Sequence, residues 1–419
     1  MTVATSKEPR EESVATSKEP REESVATSKE PREESVATSK EPREESVARQ
    51  RGLRSVVLAG GGSAGHVSPL LALADCLRRR HPELRITVLG TQEGLEARLV
   101  PARGYELRTI PKVVFPRRPG PAMARLPRAL TRAVTETGRV VEQVAADVVV
   151  GFGGYVSTPA YLAAKRRGLP VVIHEQNTRP GLANRLGARF ASEVATTFAA
   201  TRLPGGQVIG MPLRREITAL DRAAERAAAL DHFGLQDSRP TLLVTGGSLG
   251  AQRLNDAFRD GVGALRAAGV QVLHITGEGK DFAPEEGEGP PYVVRPYVDR
   301  MDLAYAAADL VVARAGANTV CELTAVGLPA VYVPLPVGNG EQRLNASEVV
   351  AAGGGLVVDN DEVTADWIRR ELVPLATDGA RVAAMAAASA GIGSRDADER
   401  LADLVEQAAG TGVTGAVPA

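Results

Sequence analysis

The sequence predicts an α/β protein made of two Rossmann-like, doubly wound domains that face a cleft. Short runs of Val, Ile and Leu alternate with Ala-, Leu- and Arg-rich stretches of helical length. Continuous apolar strands separated by helices are typical of a parallel sheet that is covered on both faces. The runs form two groups, on either side of a turn-rich stretch at 203–212. Each group opens with a strand, a glycine-rich loop and a helix, an arrangement that suits a ligand held between the two halves.

The eight predicted strands divide evenly between the two halves. In the first half the strands are expected at 56–59, 86–89, 148–150 and 171–174. A helix at 69–80 follows the first strand. In the second half the strands are expected at 242–245, 270–275, 310–313 and 330–333. Helices are expected at 221–233 and 251–265. We therefore expect an N-terminal domain at 51–210 and a C-terminal domain at 211–385. A helical stretch at 383–407 is expected to pack back across both domains, within a C-terminal helix and tail at 386–419.

The first 50 residues differ in character from the rest of the chain. Residues 3–46 are four copies of Val-Ala-Thr-Ser-Lys-Glu-Pro-Arg-Glu-Glu-Ser. A proline in every copy breaks helices, and a single Val per copy cannot form a buried seam. We expect a disordered, solvated tail at 1–50. Each copy carries two basic and three acidic residues, so the four copies contribute −4 to the net charge of −1 and the remainder sums to +3.

Composition excludes several classes of protein. The chain has 419 residues, of which 43% are apolar, and no apolar run approaches the roughly 18 residues that span a bilayer. The N-terminus lacks the apolar core of a secretory signal. The two cysteines, Cys76 and Cys321, cannot build a disulfide framework, and no Cys/His cluster suggests a zinc site. The near-neutral charge argues against a nucleic-acid partner, and a reducing cytoplasm is the expected compartment.

Three glycine-containing turns follow predicted strands and open helices, at 60–66, 246–250 and 314–319. Such turns let the backbone approach a ligand, and the helix N-terminus offers amides to an anion. The first turn fits the dinucleotide pattern G-x-G-x-x-G, but the second strand ends in Gly90-Thr91-Gln92, without the acid that would hold a ribose. In the third turn the amides are suited to a diphosphate and Glu322 to ribose hydroxyls. For each turn alone, ordinary turn chemistry is the alternative.

Polar side chains gather near the predicted carboxyl ends of strands. His66 stands at the start of the first helix, where the helix dipole disfavours the cation, and a neutral imidazole suits a general base; a histidine that merely packs there is the alternative. His174 and Glu175 end a strand and could form a base with its orienting acid, or a metal pair, although no third ligand is evident. Further candidate ligand contacts in the loops nearby and at a later helix start are Tyr155, Ser157, Asn184 and the stretch 341–346.

The segment from Lys112 to Arg132 is basic. It contains six basic residues, no acid and several apolar residues that look exposed: Val113, Val114, Phe115, Met123, Leu126 and Leu130. A patch of this kind suits contact with anionic lipid heads and shallow apolar insertion. A basic surface loop without a lipid partner is the alternative.

In their order, these motifs closely resemble those of the MurG family, the bacterial glycosyltransferases that complete the lipid-linked peptidoglycan precursor. The resemblance extends over about 56–390 and rests on the segments 61–69, 151–159, 174–177, 246–253, 314–322 and 342–345. It implies the GT-B glycosyltransferase type of fold, with no catalytic metal and no cofactor. It also implies transfer of N-acetylglucosamine from UDP-N-acetylglucosamine to the 4-hydroxyl of undecaprenyl-diphospho-linked muramoyl-pentapeptide, with inversion to a β linkage.

The resemblance also implies roles for individual residues. The donor contacts would be Ser63, Ala64, Gly65, Asn177, Arg214, Ser248, Val298, Ala317, Asn318, Thr319, Val320, Cys321, Glu322 and Gln342. Among these, Val298 would lie by the uracil, Glu322 on the ribose and Ser248 near the diphosphate, while Gln342 would hold sugar hydroxyls. On the acceptor side it places His66, Tyr155, Glu175 and Asn184, with His66 as the base and Glu175 as an alternative or helper.

The resemblance further implies a peripheral protein on the cytoplasmic side of the cell membrane. The segment from Lys112 to Arg132 would meet the inner leaflet, and other cell-wall synthesis proteins are possible partners. Two departures from the family pattern are Ser63-Ala64 in place of Thr-Gly and Glu341 in place of the first Gln of a Gln-Gln pair. Two alternatives stay open: a UDP-N-acetylglucosamine 2-epimerase, and a non-catalytic subunit that binds a lipid carrier.

Overall fold

The computed structural model describes residues 52–113, 121–247, 251–283, 289–337 and 339–410, with the backbone alone described at 121–124. The expectations for the tail at 1–50, for Ser248 and for the last residues, 411–419, lie outside this part of the chain. No helix within the described ranges has both the length and the apolar character needed to cross a membrane.

Two parallel sheets form the framework. Numbered along the chain, the strands are β1 Ser55–Gly60, β2 Arg85–Gly90, β3 Glu106–Thr109, β4 Val148–Gly153, β5 Val171–Glu175, β6 Glu193–Thr196, β7 Gly206–Val208, β8 Thr241–Thr245, β9 Gln271–Ile275, β10 Tyr292–Arg295, β11 Leu310–Ala313, β12 Ala330–Tyr332 and β13 Gly355–Val357. The first sheet has the order β3-β2-β1-β4-β5-β6-β7, and the second has the order β10-β9-β8-β11-β12-β13. The predicted fold class, two Rossmann-like doubly wound domains, is confirmed.

Helices cover both sheets. They are α1 Ala64–Arg80, α2 Glu96–Ala102, α3 Pro121–Gln143, α4 Ser157–Arg166, α5 Leu182–Gly187, α6 Arg215–Thr218, α7 Arg222–Phe233, α8 Gln252–Asp260, α9 Val262–Ala267, α10 Met301–Ala307, α11 Ala317–Ala325, α12 Glu341–Asn345, α13 Ser347–Ala351, α14 Ala365–Trp367, a π-helical turn Ile368–Leu372, α15 Val373–Thr377, α16 Gly379–Ile392 and α17 Ala397–Gly410. Local sequence sets their ends. In α7, for example, the Asp221 carboxylate caps the first turn, and Gly234, with φ +69°, ends the helix.

The central strands are buried on both faces. Val56 and Leu58 of β1 pack into one apolar cluster, whereas Val57 and Ala59 pack into another on the opposite face of the sheet. This alternation follows from the two-residue period of a strand. Burial on both faces explains why the sequence shows uninterrupted apolar runs. All eight predicted strands are present in the structure.

Two predicted helices are each divided in the structure. The helix predicted at 251–265 is interrupted at Gly261, where a Cβ atom would lie 2.7 Å from Ile368 Cδ1. The stretch at 383–407 is also not one helix: α16 ends before Gly393, whose backbone is extended and whose Cβ would lie 2.2 Å from the Thr324 carbonyl oxygen. Because of this break, the two helices pack on different elements. Helix α16 packs on α11 and α13, whereas α17 packs on α1, β4 and β5.

The strand order locates the place where a ligand can bind. In each sheet the order reverses beside the first strand, between β1 and β4 in one sheet and between β8 and β11 in the other. In open α/β sheets, ligands bind in the crevice outside the carboxyl ends of the strands at this reversal. The loops that follow β1, β4, β8 and β11 are the glycine-containing segments that the sequence singles out.

Candidate active site

The first glycine loop leads directly into α1. This helix begins at Ala64, five residues earlier than the predicted start at 69, so His66 lies in its first turn. Ser63 occupies the N-cap position, and its Oγ lies 3.1 Å from Nδ1 of His66. The imidazole is thereby held at the carboxyl edge of the sheet, beside the strand-order reversal.

The loop after β4 presses against the first glycine loop. Gly153 and Gly154 have φ angles of +91° and +83°, and a Cβ on Gly154 would lie 2.4 Å from the Gly61 carbonyl oxygen. A Cβ on Gly153 would lie 3.2 Å from Nε2 of His66. The missing side chain therefore leaves room beside that nitrogen. Ser157, a candidate ligand contact in the sequence, is buried and donates to the Gly153 carbonyl at 2.7 Å, so it fastens this loop instead.

We expect Gly154→Ala to disturb the site through this contact. The new Cβ would clash with backbone, and the left-handed conformation itself costs an alanine about 1–3 kcal/mol. Turnover should fall about tenfold, because misplacing a catalytic group by about 1 Å costs up to roughly 100-fold. Gly168→Ala is the matched control, since Gly168 has φ +66° but no heavy atom within 4 Å of its Cβ position. Equal turnover in the two variants, measured beside urea unfolding, would show that the loop contact is not needed.

Glu175 and Asn184 form an internal network beside Gly153, the glycine next to His66. The Glu175 carboxylate is 2% exposed and accepts hydrogen bonds from the backbone N–H groups of Asn177 and Gly181, each at 3.0 Å, and from Asn184 Nδ2 at 2.9 Å. Asn184 in turn accepts a hydrogen bond from Tyr161 at 2.7 Å. The carboxylate thus shapes the turn after β5, and no hydrogen bond between it and His66 is present among the described residues.

Electrostatics favour a neutral imidazole at His66. Burial lowers its pKa below the ordinary value, while a hydrogen bond to the Gly61 backbone and the negative charge of Glu96 act in the opposite direction. The neutral form agrees with the prediction from the sequence. The main cause of the lowered pKa is desolvation by burial.

His174 and Glu175 do not form a pair that could hold a metal. His174 is fully buried, burial lowers its pKa to about 4, and its Nε2 lies 2.9 Å from the Gly210 carbonyl oxygen. One group with metal-like spacing occurs among the described residues: Cys76, Asp398 and Glu399. It lies near the other end of α1, roughly 15 Å from His66 at 1.5 Å per residue, and both carboxylates are paired with Arg79.

The C-terminal half supplies a carboxylate from α11, more than one turn after the helix begins. Glu322 is half-buried, accepts a hydrogen bond from the Tyr305 hydroxyl at 2.7 Å and lies 3.6 Å from an Arg214 nitrogen. Ala317 and Val320 are buried in the same two turns, whereas Asn318, Thr319, Cys321 and Glu322 are half-buried. Sequence reasoning missed Tyr305, because one tyrosine in an Ala-rich helix gives no signal.

Val298 and Gln342, tied to the donor site by the resemblance, and Arg314, from the third glycine-containing turn, have contacts of their own. Val298 is 9% exposed and belongs to the apolar core of this half. Gln342 is half-buried, and its Oε1 accepts a hydrogen bond from the Leu335 N–H at 2.9 Å. Arg314 turns inward and donates to the carbonyl oxygens of Val333 and Pro334, at 3.1 and 3.3 Å. The guanidinium of Arg314 therefore braces the turn from within.

Direct contacts join the two halves around these residues. Asn318 Nδ2 donates to the Ala64 carbonyl oxygen at 3.2 Å, which brings the start of α11 against the first glycine loop. Asn345, in α12 and 1% exposed, accepts a hydrogen bond from the Thr178 N–H at 3.0 Å and donates to Asn177 Oδ1 at 3.2 Å. Three residues that the resemblance lists as donor contacts, Ala64, Asn177 and Asn318, therefore lie where the two halves touch.

The basic segment is described only in part. Residues 114–120 lie outside the described ranges, as do the side chains of 121–124, so Val114, Phe115 and Met123 are not described. The expectation that Val113 is exposed is wrong, because it is fully buried, and Leu126 and Leu130 are half-buried. The exposed arginines of the first part of α3 are Arg125, Arg128 and Arg132. Their spacing places them on one helix face.

Comparison with known proteins identifies the class as a glycosyltransferase with two Rossmann-like domains. The model of the glycosyltransferase family 28 N-terminal domain matches residues 56–196, and that of the C-terminal domain matches residues 241–401. The chain therefore belongs to glycosyltransferase family 28, among its UDP-N-acetylglucosamine--N-acetylmuramyl-(pentapeptide) pyrophosphoryl-undecaprenol N-acetylglucosamine transferases.

Relatives and solved structures agree with this assignment. The transferase of that name from Nocardioides sp. is 58% identical over 84% of this chain and 97% of its own length. The one from Streptomyces coelicolor is 54% identical over 84% and 98%. The crystal structure of MurG from Acinetobacter baumannii has a TM-score of 0.69 at 28% identity and covers 84% of this chain and 99% of that chain. A putative UDP-N-acetylglucosamine 2-epimerase from Listeria monocytogenes shares the fold alone: its TM-score is 0.58 at 15% identity, over 83% of this chain and 94% of that chain.

Proposed function

We propose that this chain transfers N-acetylglucosamine from UDP-N-acetylglucosamine to the 4-hydroxyl of undecaprenyl-diphospho-linked muramoyl-pentapeptide, with inversion, in peptidoglycan synthesis. The observation that carries the proposal is the contact of Asn318 with Ala64, which joins the donor-side turn to the loop of His66. Relatives of 54–58% identity are named as transferases of this kind, so the epimerase and the non-catalytic subunit are not favoured.

His66 is the base in this proposal. This role requires the tautomer with its hydrogen on Nδ1, which can donate to Ser63 Oγ, because only then does Nε2 keep its lone pair beside Gly153. As the acceptor oxygen attacks the anomeric carbon, Nε2 takes the proton of the 4-hydroxyl. The bond between that carbon and the UDP oxygen breaks, and its electron pair leaves with UDP. Glu175 is a positioning residue, because its carboxylate is occupied by the turn after β5.

The C-terminal domain holds the donor in this proposal. Glu322 accepts the ribose hydroxyls and Gln342 the sugar hydroxyls, while Val298 lies towards the uracil. Backbone amides at the start of α11 and the hydroxyl of Ser248 stabilise the charge that develops on the diphosphate. No metal or cofactor is needed for this charge stabilisation. Tyr155, which is 40% exposed beside the first glycine loop, faces the acceptor.

The acceptor is a lipid, and the basic face of α3 is suited to meet the membrane that carries it. Arg125, Arg128 and Arg132 are exposed on one face of this helix. A basic residue near an anionic membrane surface contributes about 1 kcal/mol to binding. The enzyme is then a peripheral protein on the cytoplasmic side of the cell membrane, where the segment from Lys112 to Arg132 meets the inner leaflet and other cell-wall synthesis proteins are accessible.

A single transfer assay tests the proposal. Radiolabelled UDP-N-acetylglucosamine is supplied in EDTA, with and without the muramoyl-pentapeptide lipid, in neutral vesicles and in vesicles with anionic lipid. We expect labelled lipid only when the acceptor is present, no loss in EDTA, and faster transfer in anionic vesicles. Raising the salt concentration should remove that advantage, because salt screens the attraction of arginine to lipid heads.

Each other outcome contradicts a separate part of the proposal. Consumption of the donor without acceptor would indicate an epimerase, and donor binding without turnover would indicate a binding subunit. Loss of transfer in EDTA, restored by Mg²⁺, would overturn metal independence. Equal rates in both kinds of vesicle would remove the role of the basic face and leave the transferase intact.

A further inference from the structure

A buried carboxylate lies beneath the first glycine loop. Glu96, the first residue of α2, is fully buried. Its Oε2 accepts a hydrogen bond from the Gly62 N–H at 2.9 Å, and its Oε1 accepts two from Thr91, from the N–H and from the hydroxyl, each at 2.9 Å. Gly62 follows β1 and Thr91 follows β2. The carboxylate therefore ties together the ends of two neighbouring strands.

The backbone around this carboxylate leaves space that only glycine provides. Cβ atoms on Gly61, Gly90 and Gly94 would lie 2.6, 2.5 and 2.1 Å from Glu96 atoms. Three separate positions thus accommodate one side chain. Burying a carboxylate costs free energy unless it is hydrogen-bonded, as it is here. Its hydrogen bonds to Gly62 and Thr91 outweigh the effect of burial and hold the pKa of Glu96 below its ordinary value.

The same carboxylate is coupled to the proposed base. The Gly62 amide that binds Glu96 belongs to the loop that leads into the first turn of α1, where His66 lies. The negative charge of Glu96 also acts on the imidazole and raises its pKa against the lowering by burial. Other ionisable groups near this side of His66 are Tyr155 with Lys112 above its ring, and Glu175 behind Asn184.

We propose that Glu96 is a positioning residue for the transfer reaction: its shape fixes the first glycine loop, and its charge acts on His66. This inference rests on the proposed function, in which His66 is the base. It also gives the first glycine loop a use other than dinucleotide binding, although the loop fits the pattern G-x-G-x-x-G. The amide of Gly62 already has an internal carboxylate as its acceptor, so the loop serves to hold the histidine.

Glu96→Gln and Glu96→Asp in the full chain separate charge from shape. Gln keeps the size of the side chain and removes its charge, which otherwise raises the pKa of His66. The NMR titration midpoint of His66 should therefore move to lower pH, and the acid limb of the pH profile of kcat should move with it. Turnover at pH 8 should fall about tenfold, through displacement of the loop. Asp keeps the charge, so its midpoint should stay near that of the wild type while turnover falls. The chain has five histidines, and a His66→Ala sample identifies the resonance of His66.

The outcomes distinguish this inference from the proposed function. If His66→Ala keeps full turnover, the base assignment fails, yet the NMR midpoint of His66 in Glu96→Gln still tests the coupling. A wild-type midpoint and wild-type turnover in Glu96→Gln would overturn the inference, and so would equal losses in both variants with no change of midpoint. Should Glu96→Gln not fold, Thr91→Val decides: it removes one hydrogen bond to the carboxylate and must lower kcat without raising KM for UDP-N-acetylglucosamine.

Discussion

Replacing His66 by alanine should reduce turnover about 100- to 10,000-fold, the range that general base catalysis typically supplies. The affinity for UDP-N-acetylglucosamine should change little, because the side chains proposed to hold the ribose and the sugar, Glu322 and Gln342, lie on α11 and α12. In the wild type, turnover should rise with pH as the imidazole loses its proton. Because burial lowers the pKa of His66, this limb should lie at lower pH than that of an ordinary histidine. In the variant the limb should disappear, as measured by kcat from pH 5 to 9.

His232→Ala is the control for this experiment, since His232 is exposed on α7, away from the glycine loops. It should match the wild type in turnover and in its pH profile. Unchanged turnover in His66→Ala would exclude His66 as the base. A loss accompanied by weaker UDP binding would instead indicate that His66 supports the donor site.

The sequence predicts the centre of each sheet better than its edges. Strands such as β1 and β8 are buried along their whole length and show as unbroken apolar runs. The edge strand β7, Gly-Gln-Val, is fully exposed and has no such pattern, so it lies unrecognised inside the turn-rich stretch at 203–212. Its position depends on pairing with β6, a contact that no local pattern reports.

At the site, the sequence indicates which residues are polar and lie at strand ends, but not which way they face. His66 and Glu322 could be selected because each belongs to a helix that a glycine-containing turn opens. Glu96 was missed because the dinucleotide pattern requires an acid at the end of the second strand. Glu96 instead lies a few residues after that strand, at the start of α2. Its carboxylate accepts hydrogen bonds from the N–H groups of Gly62 and Thr91. Only the tertiary structure brings it to Gly62.

The carboxylate of Glu322 should account for much of the donor affinity. In the proposed complex it accepts the ribose hydroxyls, and a hydrogen bond to a charged group contributes about 1.5–3 kcal/mol, whose loss corresponds to roughly 10- to 100-fold in Kd. We expect Glu322→Gln to raise the Kd for UDP by that factor. The ribose is remote from the reacting carbon, so KM for the donor should rise while kcat at saturating donor stays near the wild-type value.

Tyr305→Phe is the matched control, because it removes the hydroxyl that donates to Glu322 Oε2 and leaves the carboxylate in place. Its effect on the Kd for UDP should stay below about tenfold, since one neutral hydrogen bond contributes only about 1 kcal/mol. Calorimetric titration with UDP measures both variants. If Glu322→Gln binds UDP as tightly as the wild type, the ribose is held elsewhere. If it impairs only the acceptor KM, Glu322 belongs to the acceptor side, and the assignment of the two domains must be exchanged.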